Sequence, residues 1–184
     1  MGKNADAHAL LEKNAKIDTR FAFEGKYLKV RHDTIHIPNH PVKTWDIVVT
    51  MGAVAVIPID SEGRLVLVEQ WRRALERITL ERPAGMLDPG ESPEECAQRE
   101  LQEETGFKAG SIESFGGCFS SPGCMSEYIR LYLGKDLSES PLKADDTDLI
   151  DVRAISLDEA LKLIGNGQIC DAKTIVGIMR YAHV

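Results

Sequence analysis

Residues 85–107 read GMLDPGESPEECAQRELQEETGF, and this stretch decides both the fold class and the chemistry. Its second half predicts a helix that begins with Ser92 as N-cap and Pro93 at the first helical position. Glu95 completes a capping box with Ser92, and Gly106 supplies a C-terminal cap. The first half is a loop in which glycines allow backbone turns that other residues disfavour. A glycine loop followed by a well-capped helix is therefore the first element expected.

Three glutamates of this predicted helix share one side. At about 100° per residue, Glu100, Glu103 and Glu104 fall within an arc of roughly 100°. Like charges at these spacings repel each other. One interpretation is a solvated acidic face. The other interpretation follows from Leu101, which lies only about 60° from Glu104, so that the acids border the buried stripe instead of opposing it.

The loop before the helix favours a metal-binding interpretation. Turns at Gly85 and Gly90 can direct backbone carbonyl oxygens toward the carboxylates. Carboxylates together with a carbonyl form a hard oxygen site, which suits Mg²⁺ or Mn²⁺ bridging a phosphate. A bound cation would also convert the unfavourable carboxylate cluster into a paired one.

The same residues resemble the Nudix box, G-x5-E-x7-R-E-U-x-E-E-x-G-U, in which U is a bulky apolar residue. The match holds at every fixed position, and the matching residues are Gly85, Glu91, Arg99, Glu100, Leu101, Glu103, Glu104, Gly106 and Phe107. The resemblance implies an α/β protein with the Nudix hydrolase fold, a mixed β-sheet sandwiched between α-helices. It also implies an enzyme that cleaves a diphosphate linked to some further moiety.

The resemblance assigns roles to individual residues of the box. The predicted metal-binding carboxylates are Glu100, Glu103 and Glu104, and the last two are also candidate catalytic residues. The carbonyl of Ala84 is similar to a backbone metal ligand of related enzymes. Glu91 and Arg99 resemble braces between the loop and the helix, with Glu91 also near the metals. Gly85 and Gly106 are the structural glycines of the box.

The flanks of the box resemble the ADP-ribose pyrophosphatase group, which shows EQ-x-R, E-x-PAG and a proline beyond the box. The corresponding stretches are Glu69–Arg72, Glu81–Gly85 and Ser121–Glu127. By that resemblance Arg72 would hold a diphosphate oxygen, because its guanidinium fork matches phosphate geometry. Glu127 would help with the ribose or a metal-bound water, and Glu81 would recognise the adenosine half or brace the loop. The alternatives are an exposed arginine at a strand end for Arg72 and a surface charge for Glu127.

The general base of the relatives is a glutamate in an acidic E-x-E stretch before the last strand. Here that stretch is ADDTD at 144–148, with Asp146 and Asp148 in place of the glutamates. Aspartate is shorter by one methylene, so its reach to the attacking water depends on a closer approach of the loop. We favour Asp146 and then Asp148, with a box glutamate or a solvated acidic loop as alternatives.

These assignments predict Mg²⁺-dependent hydrolysis of ADP-ribose, or of a close nucleoside diphosphate sugar, to AMP and ribose 5-phosphate, with Mn²⁺ as the other candidate metal. One competing hypothesis is GDP-mannose or another sugar nucleotide as the preferred substrate. A second is removal of oxidised deoxynucleoside triphosphates, although such enzymes are often shorter and lack the N-terminal strands. A third is a non-catalytic domain that senses a nucleotide sugar, although such regulators often lose box glutamates.

Composition limits the partners and the compartment. The chain has 184 residues, a formal net charge of −7 and a pI near 5.3. No nucleic acid partner is expected, because no basic surplus is present to replace the counterions of its backbone. The chain lacks an apolar run long enough to span a bilayer and the apolar region of a signal peptide, which predicts no membrane association and a cytoplasmic location. The four cysteines form no CxxC pair, so a zinc site is not expected.

Two parts are predicted along the chain, an N-terminal β-strand extension at 1–45 and a Nudix hydrolase domain at 46–184. The strands of the first part are too few to fold alone. In the resembled group this region pairs subunits and helps to cover the adenine. We therefore expect an isologous homodimer, in which Trp45 or Phe23 stacks on the base or lies in the interface core.

Apolar patterning predicts the strands that precede the box. Residues 45–60 are nearly all apolar and β-branched, which indicates a buried strand pair or one long bent strand. A turn at 61–63 is followed by a return strand at 64–71, and together these predict a hairpin.

Overall fold

The computed structural model describes residues 2–143 and 149–184, and these ranges contain four helices and ten strands. The helices are α1 (Lys3–Lys13), α2 (Pro93–Thr105), α3 (Leu157–Gly165) and α4 (Ala172–Tyr181). The strands are β1 (Lys16–Glu24), β2 (Lys29–His36), β3 (Lys43–Val49), β4 (Ala53–Pro58), β5 (Leu65–Arg72), β6 (Arg77–Glu81), β7 (Ala84–Met86), β8 (Phe107–Phe119), β9 (Tyr128–Glu139) and β10 (Asp151–Ile155). Within the described ranges, no helix combines the length and the apolar character that crossing a membrane requires.

These elements divide into two compact units. The smaller unit contains the chain up to Met51 together with Ser121–Glu127, and the larger unit contains Gly52–Ser120 and Tyr128–Val184. The predicted role of the N-terminal region in pairing subunits stays a prediction.

The smaller unit is built on a three-stranded antiparallel sheet in the order β1-β2-β3. All of β1 is exposed, including Phe21 and Phe23, which are 47% and 57% exposed. Val48 forms a parallel bridge with Met125, which ties the 121–127 segment to this sheet. Three strands are at the lower limit of independent stability, and Asp33 and Ile35 are the residues of this sheet that are buried.

The larger unit contains two sheets, with strand orders β7-β4-β9-β8 and β10-β5-β6. The first is mixed, because β4 pairs in parallel with β9 and antiparallel with β7. Every residue of β4 is buried, as a strand covered on both faces requires. Its Val54 and Val56 pack with Leu101 of α2, whereas Ile57 packs with Ala160 of α3 and Ile178 of α4. A mixed sheet between helices confirms the predicted fold class.

Residues 45–60 form two strands in different sheets instead of one long bent strand or a pair. The chain leaves β3 after Val49 and enters β4 at Ala53. Gly52 between them has φ +83°, a left-handed conformation that favours glycine. Because of this turn, β3 belongs to the smaller unit and β4 to the larger one.

The predicted hairpin between the strands at 45–60 and 64–71 is wrong. Its turn forms, since two backbone amides donate to Asp60 Oδ1. One bridge, Ile59–Leu65, follows the turn. Beyond it β4 and β5 diverge, because β5 takes β6 and β10 as its partners. The real hairpin is β5–β6, whose second strand the sequence analysis did not predict, and β7 includes the first residues of the stretch predicted as a loop.

Helix α2 begins and ends where the sequence predicts. Ser92 Oγ accepts from the amide of Glu95, and the amide of Ser92 donates to Glu95 Oε2 at 2.9 Å. Gly106 adopts φ +77° as the C-cap. Both the capping box and the glycine cap are confirmed, and together they fix the length of the helix that carries the box glutamates.

Candidate active site

The carboxylates of α2 lie against the backbone of β7. Glu104 Oε2 accepts a hydrogen bond of 3.1 Å from the amide of Ala84. The Glu100 carboxylate lies so close to Gly85 that a Cβ at this position would collide with both carboxylate oxygens. Glycine at position 85 therefore allows the contact between loop and helix. Buried Leu101 and Cys96 anchor the helix to the core.

Arg99 connects the loop to the helix. Its Nε and Nη2 donate to the two carboxylate oxygens of Glu91 at 2.8 and 2.9 Å. Its Nη1 donates to Glu100 Oε1 at 2.7 Å and to Glu103 Oε2 at 3.0 Å. One guanidinium thus holds three box glutamates. Such charge-assisted, partly bidentate pairing fixes geometry as well as charge.

The carboxylates of the cluster differ in proton affinity. Hydrogen bonds from Arg99 lower the pKa of Glu91 to about 2. Burial raises the pKa of Glu104 to about 8, and the neighbouring Glu100 adds to the rise although the Ala84 amide opposes it. Burial also raises the pKa of Glu100 against the charge of Arg99. Glu104 is therefore a buried carboxylate whose charge the protein itself does not balance.

This donor set fits a hard divalent cation. Glu100 and Glu104 are adjacent carboxylates at one backbone turn, and oxygen ligands of this type are preferred by Mg²⁺ and Mn²⁺. Among residues 2–143 and 149–184, no three His, Cys, Asp or Glu side chains are already arranged as a metal cage. Instead, Glu100 and Glu103 are paired with Arg99. A cation at this position would share those carboxylates with the guanidinium.

Arg72 presents a fixed guanidinium at the end of β5. Its Nε and Nη2 each donate at 2.8 Å to one carboxylate oxygen of Glu81. Glu81 is 2% exposed and also accepts from Thr79 Oγ1 at 2.7 Å. Burial opposes ionisation of Glu81, but hydrogen bonds from Arg72 and the charge of Lys173 lower its pKa to about 2. The charge of Glu104 contributes to raising the pKa of Arg72, so Arg72 lies in the electrostatic field of the α2 cluster.

Lys173 of α4 is a member of this network that the sequence analysis missed. Its Nζ donates to Glu81 Oε2 and, at 2.8 Å, to Asp171 Oδ1. Lys173 and Glu81 are 92 residues apart, so no local motif connects them. The nearest sequence signal is Asp171, the N-cap of α4, whose side chain accepts from the amide of Thr174.

Two predicted substrate residues belong to the smaller unit. Trp45 is 43% exposed and lines a cleft of about 560 Å³ together with Arg31 and Asp33. Glu127 is half-buried at the end of the 121–127 segment. Their roles toward a substrate stay predictions.

The two candidate general bases, Asp146 and Asp148, lie outside the described residues. The chain resumes at Leu149 and Ile150, which line a cavity of about 280 Å³ together with Arg72. The residues that follow the acidic stretch are thus next to the predicted diphosphate-binding arginine.

The chain is similar to several known proteins. A family description of the NUDIX domain matches residues 49–175. A methanol dehydrogenase activator from Bacillus methanolicus is 40% identical over 164 residues, which cover 88% of this chain and 89% of that protein. An ADP-ribose pyrophosphatase from Bacillus subtilis is 37% identical over 158 residues, 85% of each chain. A GDP-mannose pyrophosphatase from Yersinia enterocolitica is 30% identical over 142 residues, 72% of this chain and 73% of that protein.

A solved structure described as an ADP compounds hydrolase matches with a TM-score of 0.83 over 92% of both chains, at 22% identity, which shows a common fold. The chain belongs to the NUDIX family. It is an enzyme of that family, a pyrophosphohydrolase similar to the ADP-ribose pyrophosphatases. The family predicted from the box at 85–107 is confirmed.

Proposed function

We propose that this enzyme hydrolyses the diphosphate bond of ADP-ribose, or of a close nucleoside diphosphate sugar, to AMP and ribose 5-phosphate. The observation that carries the proposal is the convergence of Glu100 and Glu104 on the Ala84–Gly85 backbone, with Arg72 in the field of Glu104. Buried carboxylates beside a fixed guanidinium suit an anionic substrate that arrives with cations. The relative named ADP-ribose pyrophosphatase supports the choice of nucleotide sugar.

In this proposal Glu100, Glu103 and Glu104 hold Mg²⁺ or Mn²⁺, with the carbonyl of Ala84 as a backbone donor. Bound there, the metal would compensate charge on the diphosphate and lower the pKa of a coordinated water. Glu91 and Arg99 keep the loop and the helix together through their bidentate pair. This brace preserves the spacing between the carboxylates and the Ala84–Gly85 turn.

Arg72 would bind an oxygen of the diphosphate. Two of its nitrogens are engaged by Glu81, whereas Nη1 has no acceptor in the part of the chain that the structure describes. The bidentate pair fixes the plane of the guanidinium before any ligand binds. Phosphoryl transfer depends on placement and charge compensation more than on covalent chemistry, so a fixed donor of this kind is useful.

The attacking water requires a base that accepts its proton. Asp146 is the first candidate and Asp148 the second, and the position of Leu149 beside Arg72 supports this choice. Glu103 or Glu104 is the alternative. Asp146→Asn and Asp148→Asn tested separately distinguish them, because loss of the base lowers kcat while the substrate KM is retained. If both variants keep the wild-type kcat, a box glutamate is the base.

The test of the proposed reaction uses the purified chain with Mg²⁺ and a panel of ADP-ribose, ADP-glucose and GDP-mannose. Products are separated by anion-exchange chromatography. The expected products from ADP-ribose are AMP and ribose 5-phosphate, with the highest kcat/KM of the panel. Failure to cleave any diphosphate with Mg²⁺ or Mn²⁺ would refute the proposal.

GDP-mannose is the second candidate substrate, because a GDP-mannose pyrophosphatase is similar over 72% of this chain. The same panel decides between the two substrates. A kcat/KM for GDP-mannose above that for ADP-ribose would make GDP-mannose the preferred substrate. The proposed metal site and the role of Arg72 would not change.

A second function, activation of a methanol dehydrogenase, is favoured by the 40% identical activator. Its test adds this chain to a purified methanol dehydrogenase and follows the oxidation of methanol. A rate increase that is lost with Glu103→Gln would assign the effect to the hydrolase site. A rate that does not change with the wild-type chain would exclude this function for that dehydrogenase.

The oligomeric state and the binding of the nucleobase are also open to proposal. We propose a homodimer that covers the exposed side of the smaller unit. Trp45, Arg31 and Asp33 combine an aromatic face with polar groups in one cleft, a composition that suits a nucleobase. Glu127 is proposed for the ribose or a metal-bound water, and the cytoplasmic location stays a prediction from composition.

A further inference from the structure

We propose that Lys173 is a positioning residue for Arg72 and acts through Glu81. The inference rests on the proposed function in one respect, because it takes Arg72 as the group that binds the diphosphate. Lys173 comes from the C-terminal helix α4, whereas Arg72 and Glu81 belong to the β5–β6 hairpin. A residue far along the chain would thus control the geometry of the substrate-binding arginine.

Glu81 is held from both sides. Its Oε1 accepts from Arg72 Nε and from Thr79 Oγ1. Its Oε2 accepts from Arg72 Nη2 and from Lys173 Nζ. The carboxylate is buried, so water does not compete for these positions. Two donors act on each oxygen, so removal of Lys173 leaves Oε2 with the Arg72 bond alone. This loosens the plane of Glu81, and with it the plane of Arg72.

Lys173 has the features of a residue that acts through a neighbour. Its side chain is 15% exposed, and both of its acceptors are carboxylates. The two positive charges of this group, on Arg72 and Lys173, balance the two negative charges on Glu81 and Asp171. Without Lys173 the same group carries a surplus negative charge, which would repel an arriving diphosphate.

The first turn of α4 fixes where Lys173 can reach. Asp171 caps the helix by accepting from the amide of Thr174. Thr174 Oγ1 in turn accepts from the amide of Arg82 at 3.1 Å, next in sequence to Glu81. The helix start and the strand end are therefore attached at two neighbouring points, Thr174 with Arg82 and Lys173 with Glu81.

The expected result for Lys173→Met is a rise of about tenfold in the KM for ADP-ribose, with kcat changed by less than about twofold. The reason is that a misplaced Arg72 loses contacts made equally to the ground state and the transition state, which raises KM without lowering kcat. Lys173→Arg keeps the charge and the donors and should restore most of the wild-type KM. The matched control is Lys162→Met, since Lys162 is exposed on α3 and forms no ion pair among the described side chains. This control should behave as wild type.

Binding measured without turnover separates positioning from structural support. In EDTA, isothermal titration calorimetry with ADP-ribose should give a Kd for Lys173→Met weaker than wild type by a similar factor. Thermal unfolding is recorded for each variant. If Lys173→Met does not fold, Lys173→Gln provides the same test, because it keeps a donor to Glu81 but removes the charge.

An unchanged KM and Kd in Lys173→Met, with or without a lower Tm, would overturn the inference, as would a loss confined to kcat. A wild-type protein that binds ADP-ribose in EDTA but cleaves no diphosphate with metal would refute the proposed function alone, and the change in Kd would still decide the role of Lys173. A wild-type protein that neither binds nor cleaves ADP-ribose would overturn both.

Discussion

Arg72 and Glu81 meet through two hydrogen bonds of 2.8 Å, one to each carboxylate oxygen. Glu81 pairs with Val68 in the β5–β6 ladder, and Arg72 lies four residues beyond Val68 on the same face. The long arginine side chain thus runs back along the sheet to reach the carboxylate. This arrangement fixes the guanidinium before a ligand binds.

The buried Glu81 should make stability depend on acid pH. Its pKa is lowered to about 2 from a reference value of 4.5, so the stabilisation is complete above pH 4.5 and is lost as the pH falls toward 2. The shift corresponds to about 3 kcal/mol. Glu81→Gln should therefore show a flatter decline in the free energy of unfolding between pH 4.5 and 2 than wild type, measured by urea denaturation. Exposed Glu139→Gln is the control and should follow the wild-type curve.

The box glutamates should be needed for turnover and not for folding. We expect Glu103→Gln and Glu104→Gln each to lower kcat by at least about tenfold, because loss of a metal-binding carboxylate removes more than about 1.4 kcal/mol of charge stabilisation. The Tm of metal-free Glu104→Gln should equal or exceed that of wild type above pH 8, where wild-type Glu104 carries a buried charge and the amide does not. Near-normal rates for either variant would remove that residue from the metal site.

Gly85→Ala tests the close approach of α2 to the loop. The added Cβ would collide with the Glu100 carboxylate, which is the flexible end of a side chain and can move away. We therefore expect a folded protein with kcat/KM reduced by about tenfold or more, because Glu100 leaves its position. Gly165→Ala, where no atom lies within 4 Å of the added Cβ, should have wild-type activity. Equal activity of the two variants would argue against a requirement for this contact.

The exposed strand β1 predicts self-association. Light scattering at micromolar concentration should give twice the chain mass of 20.4 kDa. Phe21→Asp should lower the measured mass, because Phe21 is 47% exposed on a strand in which every residue is exposed. Leu142→Asp, at 44% exposure in the larger unit, serves as the control for an added surface charge. A monomeric wild type would contradict the prediction.

Local signals predicted α2 well. The cap residues Ser92, Glu95 and Gly106 act within a few positions of each other, and the structure has all three in their expected roles. The contact of Arg99 with Glu91 spans 8 residues of one motif, and its prediction came from the resemblance to the Nudix box. Such features depend on short-range geometry, which a single sequence contains.

Long-range partners were not predictable in the same way. The turn at 61–63 predicted a hairpin, but β4 and β5 pair with strands of different sheets. Lys173 gave no signal, because its contact with Glu81 joins positions 92 residues apart. In the first case tertiary pairing outweighs a local pattern that is equally compatible with another arrangement. In the second, no local pattern exists.

The raised pKa of Glu104 has a consequence for measurements of metal affinity. A carboxylate with a pKa of about 8 keeps its proton at neutral pH, so a cation that binds there must displace it. Metal binding then replaces the proton on Glu104 with the metal cation. Affinity would increase as the pH rises toward 8, and the calorimetric heat of binding would depend on the ionisation enthalpy of the buffer that takes up the released proton.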